Sequence, residues 1–197
     1  MCINTKDLYE ISTLARTTLH RRKEICCNML KLLLTLCMVT ALNGQADKDF
    51  IADVVKQHNV YRALHGVPDV TDNAEMNALA HNWAIYLFTN DVYMHNPDEK
   101  YGMNLSWMWS SSAYEFSGSQ HVDNLYKKEA QFYAENKWCG GEPNMDLRSK
   151  FGHYTQIVWK KSTQIGVGKA GECVVIIYSP PGNYKGMYAE NVPCPLA

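Results

Sequence analysis

Three titratable side chains have the right types and local settings to do chemistry together: His95, Glu129 and His153. Two imidazoles and a carboxylate could hold a zinc-like cation with an open position, or form an acid–base pair. His153 sits beside Gly152 at the head of an apolar run closed by Trp159, the setting of a side chain at the rim of a core. His95 precedes Pro97, which disfavours helix at Asn96 and puts the histidine on a connection. Glu129 interrupts an apolar stripe, and a carboxylate there needs a partner or a shifted pKa. Separations of 34 and 24 residues leave convergence to the fold. A nucleophile is harder to find. No Ser or Cys occupies a nucleophile-elbow sequence, and there is no P-loop, no Gly-x-Gly-x-x-Gly after a strand and no His-Glu-x-x-His.

The elements that must position these residues are legible from periodicity. Phe50, Val54, Tyr61 and Leu64 fall near one face of a helix ended by Gly66 and Pro68. On it His58, Asn59 and Arg62 read as a solvated or hydrogen-bonded face. Asp72 as N-cap, with Glu75 three residues on, opens a second helix with the core stripe Met76, Leu79, Ala80, Trp83, Ala84 and Leu87. Residues 101–107 read as a short strand. Within it Asn104-Leu105-Ser106 is a glycosylation sequon whose half-buried neighbours argue against occupancy. A third helix starts near Ser117 and carries Val122, Leu125, Tyr126, Glu129, Phe132 and Tyr133, and residues 136–150 read as a long loop. Residues 164–169 and 173–178 read as two antiparallel strands, followed by a tail without regular structure.

Length and composition bound the rest. The 197 residues suit one domain with an appendage. Residues 1–46 carry six Lys/Arg against three Asp/Glu and the remainder 13 against 17, so the domain has a net charge of −4 and no electrostatic argument for nucleic acid. Met29 to Ala46 has the order of a signal peptide: a basic start, an apolar stretch of roughly a dozen residues, and a small-x-small end, too short for the ~20 residues of a bilayer span. Cleavage is expected after Ala46, giving a leader over 1–46 and a domain over 47–197. The 28 residues before Met29 leave two variants open, Met29 as initiator or a signal anchor. Three of the seven cysteines, Cys139, Cys173 and Cys194, remain in the domain. An exported chain should oxidise a pair, and Cys173 with Cys194 would clip the tail to a strand.

Residues 152–159 resemble a signature of the CAP superfamily, the cysteine-rich secretory, antigen 5 and pathogenesis-related proteins. His58-Asn59-x-x-Arg62, Leu79-Ala80-x-x-Trp83-Ala84 and Tyr178-Ser179-Pro180-Pro181-Gly182-Asn183-Tyr184 resemble other segments of that family, in its order. The resemblance implies an α+β fold, a three-layer α-β-α sandwich with a central antiparallel sheet. It also implies a cleft of two histidines and two glutamates, matched by His95, Glu129 and His153. The remaining glutamate position, between Gly102 and Asn104, is Met103. A thioether is neither a base nor a good ligand for a hard or borderline cation, so only a weakened site for Zn²⁺ or another divalent cation at His95 and His153 is expected. The Cys-Asn pair that usually precedes the last signature's tyrosine is Ile176-Ile177 here, which weakens the pairing of Cys173 with Cys194. With no nucleophile and Met103 in place of a cleft carboxylate, a secreted, non-catalytic protein is expected, and the resemblance implies that it binds a protein partner, a sterol or a fatty acid. Two readings compete with it: a metal-assisted hydrolase using His95, His153 and Glu129, and a structural or antigenic protein without a ligand.

Overall fold

The computed structural model describes Met29 and residues 47–97, 100–112 and 114–196. The expected signal peptide lies outside the described residues, Met29 excepted. Residues 47–64 form helix α1. There follow β1 (Thr71–Asp72), α2 (Ala74–Asn90), β2 (Gly102–Trp107), α3 (Gly118–Glu135), a 3-10 helix (Met145–Lys150), α4 (Gly152–Ile157), β3 (Gln164–Ala170), β4 (Cys173–Ser179) and α5 (Tyr188–Asn191).

The strand order is β1-β3-β4-β2. β4 pairs antiparallel with both neighbours, Met103 lying opposite Ile177 and Gly168 opposite Val175. The two-residue β1 is parallel to β3, so the expected central antiparallel sheet carries a short parallel pair at one edge and is mixed. β4 explains the layering. Val174, Ile176 and Tyr178 join one core with Val54, Tyr126, Tyr133, Phe151, Tyr154 and Trp159, while Cys173, Val175 and Ile177 join another with Met76, Ala80, Ala84 and Leu87. Alternate residues point to opposite faces of a strand, so a strand apolar at every position is one covered on both sides. α2 covers one face; α1, α3 and α4 cover the other. Gly166 and Gly168 let α2 come that close, because a Cβ at either would collide with the Met76 or Ala80–His81 backbone.

Ser117 caps α3 in a full capping box with Gln120. The N-cap of α2 is Asn73, whose Oδ1 accepts from Glu75 and Met76 N–H. Asp72 was the expected cap, but its backbone is held in register with Ile165, so the chain is free to turn only one residue later. Leu79, placed in the core stripe by spacing, is exposed, and the tail contains the short α5.

The disulfide is Cys139–Cys194, with Cα atoms 5.0 Å apart, not Cys173–Cys194. Cys173 opens β4 opposite Trp107 and is 1% exposed within the α2-side core, while the tail runs beside the 136–150 segment, where Gly140 N–H donates to Val192 O. Burial raises the Cys173 thiol to about 11, which keeps it protonated and inert. The bridge closes a separation of 55 residues. Cys194→Ser should therefore cost about 2–4 kcal/mol in urea unfolding. Cys173→Ala should leave the bridge intact in non-reducing peptide maps.

Candidate functional site

Because β2 is an edge strand, its residues border an open cleft of about 820 Å³ between the 93–97 connection, the 3-10 helix, α4 and the segment after β4. His95, Met103 and His153 all line it, together with Tyr93, Arg148 and Tyr184. Burial, then the neighbouring His153 and Arg148, hold the His95 imidazole below its ordinary pKa. The two histidines are therefore close enough to feel one another.

Glu129 is engaged elsewhere. Its Oε1 accepts from His153 Nδ1 at 2.7 Å, and its Oε2 accepts the backbone N–H of His153 at 2.8 Å and of Tyr154 at 3.0 Å. α4 has no side-chain cap of its own, so a carboxylate from α3 satisfies its first N–H groups. This is the physical reason for a charge inside an apolar stripe. It also fixes the tautomer: with Nδ1–H donated to Glu129, the neutral ring turns the Nε2 lone pair away from the carboxylate. Glu129→Ala should cost about 2–4 kcal/mol in urea unfolding, since three hydrogen bonds to one charged group disappear. Glu129→Gln should lose roughly half of that, and the ¹⁵N shifts of His153 should show its tautomer no longer fixed.

Behind the cleft lies a buried polar chain that spacing did not reveal. Asn104 Nδ2 donates to His153 O at 3.1 Å and to Tyr178 Oη at 3.0 Å. Tyr178 Oη meets His58 Nε2 at 2.8 Å, and His58 Nδ1 meets Val54 O at 2.8 Å. Asn104 is 1% exposed and its amide is committed to these bonds, which closes the sequon in the folded domain. His58 and Arg62 are fully buried, so of the two expected readings the hydrogen-bonded face holds and the solvated one does not; the Asn59 amide is paired in both directions with the Val70 backbone. The sequence signal for this was the pairing of two polar residues at i and i+4 on the same face as Val54 and Tyr61.

Other cleft residues lie in the segment after β4, matched from sequence to a family signature but with no role given to their side chains. Asn183 takes a left-handed φ of 62° and donates from Nδ2 to Gly152 O at 2.7 Å, while Thr155 Oγ1 donates to its Oδ1. Gly182 N–H donates to Gln156 Oε1 at 3.0 Å. These bonds lock the segment after β4 against α4.

The donor set offers a dication two imidazoles and the Met103 thioether. Among the described residues no group of three or more His, Cys, Asp or Glu is placed to hold a metal ion. Zn²⁺ is ordinarily held by three or four N, O or S⁻ donors, so this set does not fit it as a resident ion.

The family model for the cysteine-rich secretory protein family, CAP, matches residues 55–175. The Golgi-associated plant pathogenesis-related protein 1 of Homo sapiens is 31% identical over 161 residues, covering 77% of this chain and 97% of that protein. The pathogenesis-related protein PR-1 type of Sambucus nigra is 30% identical over 174 residues, covering 81% and 94%. Among solved structures, NaASP2 with Zn²⁺ shares the fold, with a TM-score of 0.52 at 22% identity over 68% of this chain and 81% of that one.

Proposed function

The chain belongs to the cysteine-rich secretory protein (CAP) family, and from that premise we propose that it is a secreted, non-catalytic binding protein whose cleft takes a protein partner. The observation that carries the reading is the engagement of Glu129. As a base Glu129 is occupied, its oxygens spent on His153 and on the start of α4, which leaves a hydrolytic site only an orienting carboxylate, and the strand position that could have supplied a second one is Met103. What remains suits recognition. Tyr93 and Tyr184 stand 59% and 50% exposed at the cleft, around Arg148 and the two imidazoles. Tyrosine and arginine are the side chains enriched at the energetic centres of protein interfaces.

Secretion is supported by the leader's order of basic, apolar and small residues. Among the described residues no helix is long and apolar enough to cross a membrane.

The test is site-directed photocrosslinking in the protein's native fluid. A photoreactive phenylalanine in place of Tyr184 should capture a discrete protein, and one in place of Lys127, on the exposed side of α3, should not. Saturable binding of labelled sterol or palmitate, with no protein captured at Tyr184, would replace the partner by a lipid. Peptidase activity abolished by His153→Ala, in a variant that still folds, would overturn the non-catalytic reading.

A further inference from the structure

Helix α2 has an outer face unlike the solvated face of α3. Between Glu75 and the cap Asp91 it carries no Asp, Glu, Lys or Arg, whereas α3 carries Asp123, Lys127, Lys128 and Glu135 over a similar length. Met76, Ala80, Ala84 and Leu87 pack on the sheet side, yet Leu79, Ile85, Tyr86 and Phe88 remain, each 43–46% exposed. A helix apolar all round is ordinarily covered on every side. We propose that the outer face of α2 is a self-association surface, packing against the same face of a second copy of this chain about a two-fold axis.

Shape is the first ground. Ala78, Asn82, Ile85 and Thr89 recur every three or four residues and are all exposed, so they form a shallow row along the outermost line of the helix, with Leu79 and Tyr86 beside it. Such a row of small and medium side chains lets two helices approach to the ~8–10 Å of a packed pair. Order is the second. The Trp83 and Tyr86 rings stack with centroids 4.8 Å apart, and Trp83 Nε1 donates to Met94 O at 3.3 Å, so an aromatic pair on the flank is held in place before anything docks on it. Area is the third. At ~200 Å² for a large side chain, four that are nearly half exposed offer about 350 Å² of apolar surface, and the residues between them bring the face to roughly 600 Å². Two such faces reach ~1,200 Å², the lower end of specific interfaces. Charge selects the occupant. Homodimer interfaces are the more apolar class and their two sides are identical, so a face without charges meets itself without like-charge repulsion. A membrane surface fits less well: helices that lie on lipid carry Lys or Arg around the apolar stripe, and α2 has neither.

Sedimentation equilibrium of the chain as a secreting host releases it provides the test. It should show a monomer–dimer equilibrium with a Kd in the micromolar range, the weak end for an interface of this size. Ile85→Lys, which sets like charges near each other across the axis, should raise that Kd at least about 10-fold. Ala78→Glu repeats the test at a small exposed residue, and melting temperatures report that both variants are folded. Lys127→Glu on α3 should leave the Kd unchanged. Mixing Ile85→Lys with Ile85→Glu should restore association, a rescue that a purely structural role of Ile85 would not give. A chain that stays monomeric up to about 1 mM, or a dimer indifferent to Ile85→Lys and Ala78→Glu, overturns the proposal. So does a monomer whose α2 face has another occupant: a foreign protein captured by a photoreactive phenylalanine in place of Ile85, or phosphatidylcholine vesicles whose binding is lost in Ile85→Lys.

Discussion

Arg62→Met should remove about 2–6 kcal/mol of stability, a large part of the 5–15 kcal/mol that folded domains possess. The guanidinium is fully buried on α1 and spends its donors on carbonyls. Nε donates to Pro68 O at 2.6 Å, Nη1 to Ile157 O and Trp159 O at 2.9 Å each, and Nη2 to Ser162 O at 2.8 Å. Burial pulls its pKa down to about 10, which still leaves it charged at neutral pH. Ile157 is the last residue of α4, so the positive charge meets the negative end of that helix and the turn leading to β3. Methionine matches the bulk but takes the guanidinium donors from the Ile157 and Ser162 carbonyls, both of buried residues, at about 1–3 kcal/mol each, while Trp159 O keeps the Ser162 N–H. Arg62→Lys should also lose about 2–4 kcal/mol, because one ammonium cannot reach four acceptors spread across a planar fork. Urea unfolding measures both. A methionine variant within 1 kcal/mol of wild type would show that water replaces the guanidinium.

Arg62 also marks where sequence reasoning lost its footing. The helices were readable because their burial is periodic: Val54, His58, Tyr61 and Arg62 all lie on one face of α1, and Met76, Ala80, Ala84 and Leu87 on one face of α2. Periodicity reports which face is inward only when its members are apolar. A buried arginine satisfied by carbonyls from residues 68, 157, 159 and 162 has the same local sequence as a solvated one. The same limit hid the role of Glu129, whose acceptor partners are backbone N–H groups 24 and 25 residues away. It also hid the disulfide, since cysteine spacing carries no information on which thiols meet. The resemblance to the family placed His95, Met103 and His153 on one cleft, and their shared lining of that cleft is what the structure adds. The substitution at Met103 needed no structure at all, because the chemistry of a thioether follows from the residue type alone.

Acid should weaken the domain well before its carboxylates are protonated. His58 and His121 are 0% and 1% exposed, and burial first of all pushes each imidazole from 6.5 down to about 4. His65 is shifted in the same direction, chiefly by burial. Geometry agrees with the neutral form. With Nδ1–H donated to Val54 O, His58 can only accept at Nε2, and Tyr178, its own oxygen taken by Asn104, donates there. A second proton would set two donors against each other. His121 Nδ1 is paired with Ser106 Oγ, with the Lys169 charge also opposing protonation. Since the unfolded chain binds these protons near pH 6.5 and the folded one only near pH 4, stability is complete above pH 6.5 and falls as pH drops between those values. At 1.36 kcal/mol per unit, each of the two histidines removes about 3 kcal/mol by pH 4. Together that is about half the stability of an ordinary domain. Urea midpoints at pH 7, 5.5 and 4.5 should decline steadily. The double variant Ser106→Ala with His121→Leu, which removes both partners of one buried pair, should flatten the decline by roughly a third to a half, because among the histidines only His58, His65 and His95 would then couple folding to protons. A midpoint independent of pH in the wild type would mean that the buried imidazoles take up protons inside the fold, and with that the hydrogen-bonded chain from Asn104 to Val54 would have to be rearranged.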